Sequence, residues 1–110
     1  MLHQNDIDLW KKTEALAWRL AAEFDLPLKV VEPKRRPIAG NAAGLCYCNE
    51  GRISIVLREK NRVCDGGAWW SKPCSWKQIS ETVAHELAHL LHQNHGAQFK
   101  ELEAKIIKSI

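Results

Sequence analysis

Four of the chain's five histidines fall within HELAHLLHQNHG, His85 to Gly96. The stretch begins His85-Glu86-Leu87-Ala88-His89, a His-Glu-x-x-His run. On a helix, residues four apart sit one above the other, about 6 Å along the axis. Two imidazoles can converge there on one zinc ion. Glu86 is rotated about 100° from His85 and misses the ion itself. It is placed instead to hold a water on the metal and take its proton. The chemistry predicted is hydrolysis with one catalytic Zn2+, His85 and His89 as ligands and Glu86 as general base. Three fixed positions recur by chance in many proteins, so the pentapeptide alone is weak evidence. The amphipathic helix around it and the neighbouring histidines strengthen it.

A catalytic zinc with an open position wants a third protein ligand. On an unbroken helix His92 stays on the stripe of His85 and His89, but about 10 Å along the axis from His85. Ligands spread that far along a rod cannot surround one ion, so His92 is read as a neighbour. On a continued helix His95 would point about 240° away from His89. It reaches the metal only if the chain turns first. Asn94 tolerates a left-handed conformation and Gly96 escapes the steric penalty, so a turn is predicted there. His95 is the preferred third ligand; a carboxylate on the last helix, Glu101 or Glu103, is the rival.

The elements that must carry these residues follow from periodicity. In residues 6–24, Leu9, Leu16, Leu20 and Phe24 share one helical face, with Asn5 or Asp6 at its start and Pro27 beyond its end. Leu28 to Val31 is a short apolar run, read as a strand. Residues 32–44 hold two prolines and two glycines and read as a loop. Its Lys34, Arg35 and Arg36 are taken as solvated rather than as a phosphate-contact patch. Leu45–Asn49 and Arg52–Arg58 form a predicted hairpin turned by Asn49-Glu50-Gly51. In the second arm Ile53, Ile55 and Leu57 alternate with Ser54, Val56 and Arg58, the pattern of a half-buried strand. Residues 60–74 read as a long irregular segment, anchored by Trp69 and Trp70. Ser75 and Gln78 form a predicted capping box for a helix to about Gln93, with Trp76, Ile79, Val83, Leu87 and Leu90 as its apolar stripe. A last helix spans about 97–109, with Phe99, Leu102, Ile106 and Ile107 inward.

The chain of 110 residues fits a single domain, 1–110. Hydrophobic residues are 45% and charged residues 26%, ordinary for a soluble globular protein. A net charge of +3 is far from that of a dedicated nucleic-acid binder. No apolar run is long enough for a transmembrane helix, and MLHQNDIDLW does not read as a signal peptide. No membrane partner and a cytoplasmic location are therefore expected. In a reducing compartment Cys46, Cys48, Cys64 and Cys74 are read as thiols or metal ligands rather than disulfides. Their C-x-C…C-x9-C spacing lacks paired C-x2-C knuckles, so a second, structural zinc is not favoured.

HELAHLLHQNHGAQF, with His-Glu-x-x-His, Asn-His-Gly and a Phe three residues after the glycine, resembles the SprT-like and YgjP/WLM-type zinc metallopeptidases. More weakly, AGLCYCNEGRISIVLR resembles the strand pair before their catalytic helix. The resemblance covers about residues 38–104, with strong motifs only in 85–99. It implies His95 as third ligand and Phe99 as a packing aromatic. It also implies an α+β, minimal zincin-like fold: an N-terminal helix, a three-stranded sheet, an active-site helix beneath it and a C-terminal helix. The sheet's edge strand would take up a protein or peptide substrate by strand addition. Some SprT-like proteases act on DNA-bound proteins. No zinc-ribbon module follows the catalytic helices here, which leaves DNA association without a module of its own.

Metzincins share the His85–His95 spacing, but need a glycine where His92 stands and a methionine turn, and the only methionine is Met1. ImmA/IrrE-like peptidases, with a carboxylate as third ligand, are the alternative among peptidases. A zinc-stabilised binding protein without hydrolysis, and a metal-free scaffold with surface histidines, are the alternatives outside them. A purely structural zinc has no use for Glu86, which favours the enzyme. For oxyanion or substrate contact the candidates are His92, Tyr47 and Arg58, and the sequence does not choose among them.

Overall fold

The computed structural model describes residues 4–34, 44–59 and 72–110. Helix α1 spans Gln4–Glu23. Its buried face is set by Leu16, Ala17, Leu20 and Ala21, with Leu9 and Phe24 packed at the margin. The side chains of Asn5 and Asp6 lie outside the described residues. At the far end Asp25 takes a left-handed φ of 53°. Leu26 N–H then bonds the Ala21 carbonyl and Asp25 N–H the Ala22 carbonyl, a Schellman closure with aspartate at the usual glycine position.

Strands β1 (Val30–Lys34), β2 (Gly44–Tyr47) and β3 (Arg52–Val56) form one mixed sheet. The order is β1-β3-β2, with β1 parallel and β2 antiparallel to β3. β1 runs further than Val31, through Pro33 to Lys34. A proline is tolerated because β1 is an edge strand, where one side of the backbone needs no ladder partner. Arg35 and Arg36 lie outside the described residues. β3 was expected to be half-buried; instead Ile53, Ser54, Ile55 and Val56 are all buried, because it is the central strand.

The β2–β3 connection is a 3-10 turn, Cys48–Glu50, closed by Gly51 at φ 64°. A Cβ at Gly51 would lie 2.5 Å from the Pro27 carbonyl oxygen, so only glycine fits. The predicted second hairpin arm divides after Val56. Buried Leu57 donates its N–H to the Lys34 carbonyl and accepts from Cys74 N–H. Arg58–Glu59 (β4) then pairs antiparallel with Lys72–Pro73 (β5). The last residues of the expected irregular segment are thus paired, while Cys64, Trp69 and Trp70 lie outside the described residues.

Helix α2 spans Trp76–His89 and α3 spans Ala97–Lys108. The Ser75–Gln78 capping box is present in both directions. Ile79, Val83 and Leu87 of α2 meet Leu20 of α1, Ile53 and Ile55 of β3, and Phe99 and Ile106 of α3 in one core. The architecture is α+β, three helices with a three-stranded mixed sheet. Among the described residues no helix is long and apolar enough to cross a membrane.

Candidate metal centre

The expected helix to Gln93 stops at His89. Leu90 and Leu91 tighten into i→i−3 bonds to the Leu87 and Ala88 carbonyls, and His92 N–H returns to Ala88. The chain then doubles back over four residues into α3. The turn expected around Asn94 and Gly96 is there, but it is made differently. Neither residue has a positive φ. Gly96 is extended, φ −82° and ψ −170°, and stands at the N-cap of α3. An added Cβ there would meet nothing within 4 Å. The tightened end of α2 and the bends at Gln93, Asn94 and Gly96 make the reversal together, with no left-handed residue.

The result brings three imidazoles together. His85 Nε2 and His89 Nε2 are 3.2 Å apart, His89 and His95 Nε2 3.0 Å, His95 and His85 Nε2 3.3 Å. Phe99, buried in the core, backs this triangle with its ring centroid 4.5–5.0 Å from each imidazole. The other ring nitrogens are committed on two of the three. Glu103 Oε2 accepts from His85 Nδ1 at 2.7 Å. The His92 carbonyl oxygen lies 3.1 Å from His89 Nδ1. A carbonyl only accepts, so Nδ1 of His89 carries the proton and Nε2 presents a lone pair. A neutral His85 donating to Glu103 likewise presents a lone pair at Nε2. Two lone pairs 3.2 Å apart repel unless a cation lies between them.

The donor set fits zinc. Four ligands arranged tetrahedrally 2.0–2.1 Å from zinc stand about 3.3–3.4 Å apart, close to the spacing of the three Nε2 atoms. The oxygen acceptors at Nδ1 are the partners that orient metal-bound histidines. Burial, opposed by the His92 carbonyl and reinforced by the other two histidines, holds the His89 imidazole below its usual pKa, in the neutral form a ligand needs. Among the described residues these three histidines are the one group of metal-capable side chains that converges.

Glu86 is 6% exposed and lines a cleft of about 470 Å³ with His85, His89 and His95. Burial raises its carboxyl to about 7, His85 opposing and Glu103 adding to the rise. A cation at the triad would pull that value down again. The facing wall is β2 and the turn after it: Gly44, Leu45, Cys46, Cys48 and Asn49, with Gln93 beside His95. Gly44 allows this approach. A Cβ there would stand 2.8 Å from Ser54 O, 2.9 Å from Thr82 Cγ2 and 3.1 Å from Glu86 Cγ.

The other candidates fall elsewhere. Glu103, a rival third ligand, instead bonds His85, and Glu101 pairs with Lys105 on the exposed side of α3. His92 offers its carbonyl, while its side chain lines a separate groove with Leu91, Gln98 and Glu101. Tyr47 is stacked by the Arg52 guanidinium, 4.3 Å from its ring centroid, and does not line the cleft. The Arg58 side chain lies outside the described residues. Sequence reasoning missed Gly44, Asn49 and Gln93. Their only signal was position, on a strand end and two loops. No family model, curated protein or solved structure matches the chain.

Proposed function

We propose that this protein is a zinc-dependent metallopeptidase, resembling the SprT-like and YgjP/WLM-type enzymes, in which His85, His89 and His95 hold the metal and Glu86 is the general base. The observation that carries this reading is the convergence of three Nε2 atoms beside a buried carboxyl on one open cleft. A carboxylate third ligand of the ImmA/IrrE kind has less support, since Glu103 faces Nδ1 of His85 and not the triangle.

When bound, zinc would polarise the scissile carbonyl and acidify the attacking water. The chain's residues supply the rest. Glu103 and the His92 carbonyl hold two imidazoles in the tautomer that leaves Nε2 free. Glu86 takes the water's proton and delivers it to the leaving amine. Asn49 and Gln93 line the cleft and Tyr47 does not, so these amide residues are the better oxyanion candidates. β2 is a sheet edge bordering the cleft, so an extended protein or peptide segment can add there by main-chain hydrogen bonds.

The test is Glu86→Gln in the zinc-loaded full chain, assayed on an unfolded protein substrate. Zinc content stays at one per chain, and cleavage falls by about 10²-fold or more. Cleavage at the wild-type rate would overturn the role of Glu86. Wild type inactive on every unfolded substrate, with zinc in place, would favour a binding protein instead.

A further inference from the structure

Cys46 and Cys48 carry chemistry that hydrolysis does not use. Residues two apart on a strand share a face, and here the backbone bends between them, Tyr47 lying at φ −98° and ψ 80°. Their sulfurs are 2.9 Å apart. Both thiols are half-buried and both line the cleft, within reach of a small reagent. Cys48 Sγ also donates to the His89 carbonyl at 3.1 Å, tying the end of β2 to the end of α2.

We propose that Cys46 and Cys48 form a dithiol couple, closed reversibly to a disulfide by low-molecular-weight disulfides of the glutathione class. A shared metal is the poorer account of the pair. Two thiolates on one tetrahedral zinc stand about 3.8 Å apart, so the pair would have to open. Among the described residues no third donor converges with them. Closure asks that the sulfurs approach to about 2.05 Å with a Cβ–S–S–Cβ dihedral of about 90°.

One protein thiolate attacks a sulfur of the reagent and expels one small thiolate. Its neighbour then attacks the mixed disulfide and expels the second. Two electrons pass to the reagent, and the two thiol protons leave with the departing thiols. The ring formed is small and exposed to the cleft, the character of a labile, regulatory bond rather than a structural one. Closure also removes the Cys48 S–H from the His89 carbonyl, loosening the turn after β2 from the end of α2. The consequence for cleavage rests on the peptidase reading; the thiol chemistry does not.

The zinc-loaded chain is titrated with mixtures of reduced and oxidised glutathione, and the bond is located by peptide mapping. The expected result is loss of both thiols at 46 and 48, with the two linked to each other. Cleavage falls in step, and dithiothreitol restores both. Cys64→Ser/Cys74→Ser retains the link, and Cys48→Ser gives a stable glutathione adduct at Cys46. In Cys46→Ala/Cys48→Ala, cleavage at whatever level it runs ceases to respond to oxidised glutathione. Capping of wild type without ring closure, linkage to Cys64 or Cys74, or thiols that persist at an oxidising ratio would overturn the couple. A closed ring with unaltered cleavage would overturn its control of the cleft. A closed ring in a chain that cleaves nothing in either state condemns the peptidase reading alone.

Discussion

Glu103 Oε2 stands 2.7 Å from His85 Nδ1 and orients that ring from the neighbouring helix. By sequence alone it is a rival third ligand. From α3 it instead accepts the proton that fixes the His85 tautomer, the arrangement that raises the basicity of a metal-bound imidazole. Glu103→Ala should therefore weaken zinc binding by about 10–100-fold, read by competition with a chromogenic chelator. His92→Ala should leave affinity near wild type, because the His89 partner is a backbone oxygen that any residue supplies. Equal losses in the two variants would contradict these roles. His85, His89 and Glu86 were legible because helix geometry alone sets their relation. Glu103 was not, because its role depends on how α3 docks against α2, which no local spacing encodes.

At the scale of elements the site depends on two short devices. The first is the tightened end of α2, which returns the chain so that His95 joins His85 and His89. The second is the approach of β2 to α2 at Gly44. Two glycines that look alike in sequence should respond differently. Gly44→Ala forces a Cβ against the Ser54 carbonyl and Thr82 and should destabilise by about 1–3 kcal/mol, with slower cleavage as Glu86 shifts. Gly96→Ala, in open space with an extended backbone, should be near neutral in both measurements. Chemical denaturation beside a cleavage assay decides it, and a Gly96→Ala penalty as large as that of Gly44→Ala would show the turn misread. The capping box, α3 and the β2–β3 turn were readable from local chemistry. The end of α2 was not, because i→i−3 tightening leaves no mark as plain as glycine or proline. Nor was the burial of Ser54 and Val56, because alternation cannot tell a central strand from an edge.

The candidate site draws on three elements of the fold at once. Its three imidazoles come from α2 and the turn before α3, Glu103 from α3, and the facing wall from β2. Metal binding should then stabilise the entire domain and not the site alone. With free zinc at about 1,000 times its dissociation constant, the gain is about 4 kcal/mol. A single cooperative melting transition should move up on zinc addition and return with a chelator, and His95→Ala should abolish most of the shift. A transition that ignores zinc would return the histidines to the surface of a metal-free scaffold.

In the proposed site three imidazoles, and no carboxylate or thiolate of the chain, hold one zinc. X-ray absorption at the zinc edge counts them directly. A nitrogen and oxygen shell at about 2.0–2.1 Å is expected, containing three imidazoles in the wild type and two in His95→Ala. Two imidazoles in the wild type, or a sulfur shell at about 2.3 Å from Cys46 or Cys48, would overturn the three-histidine site.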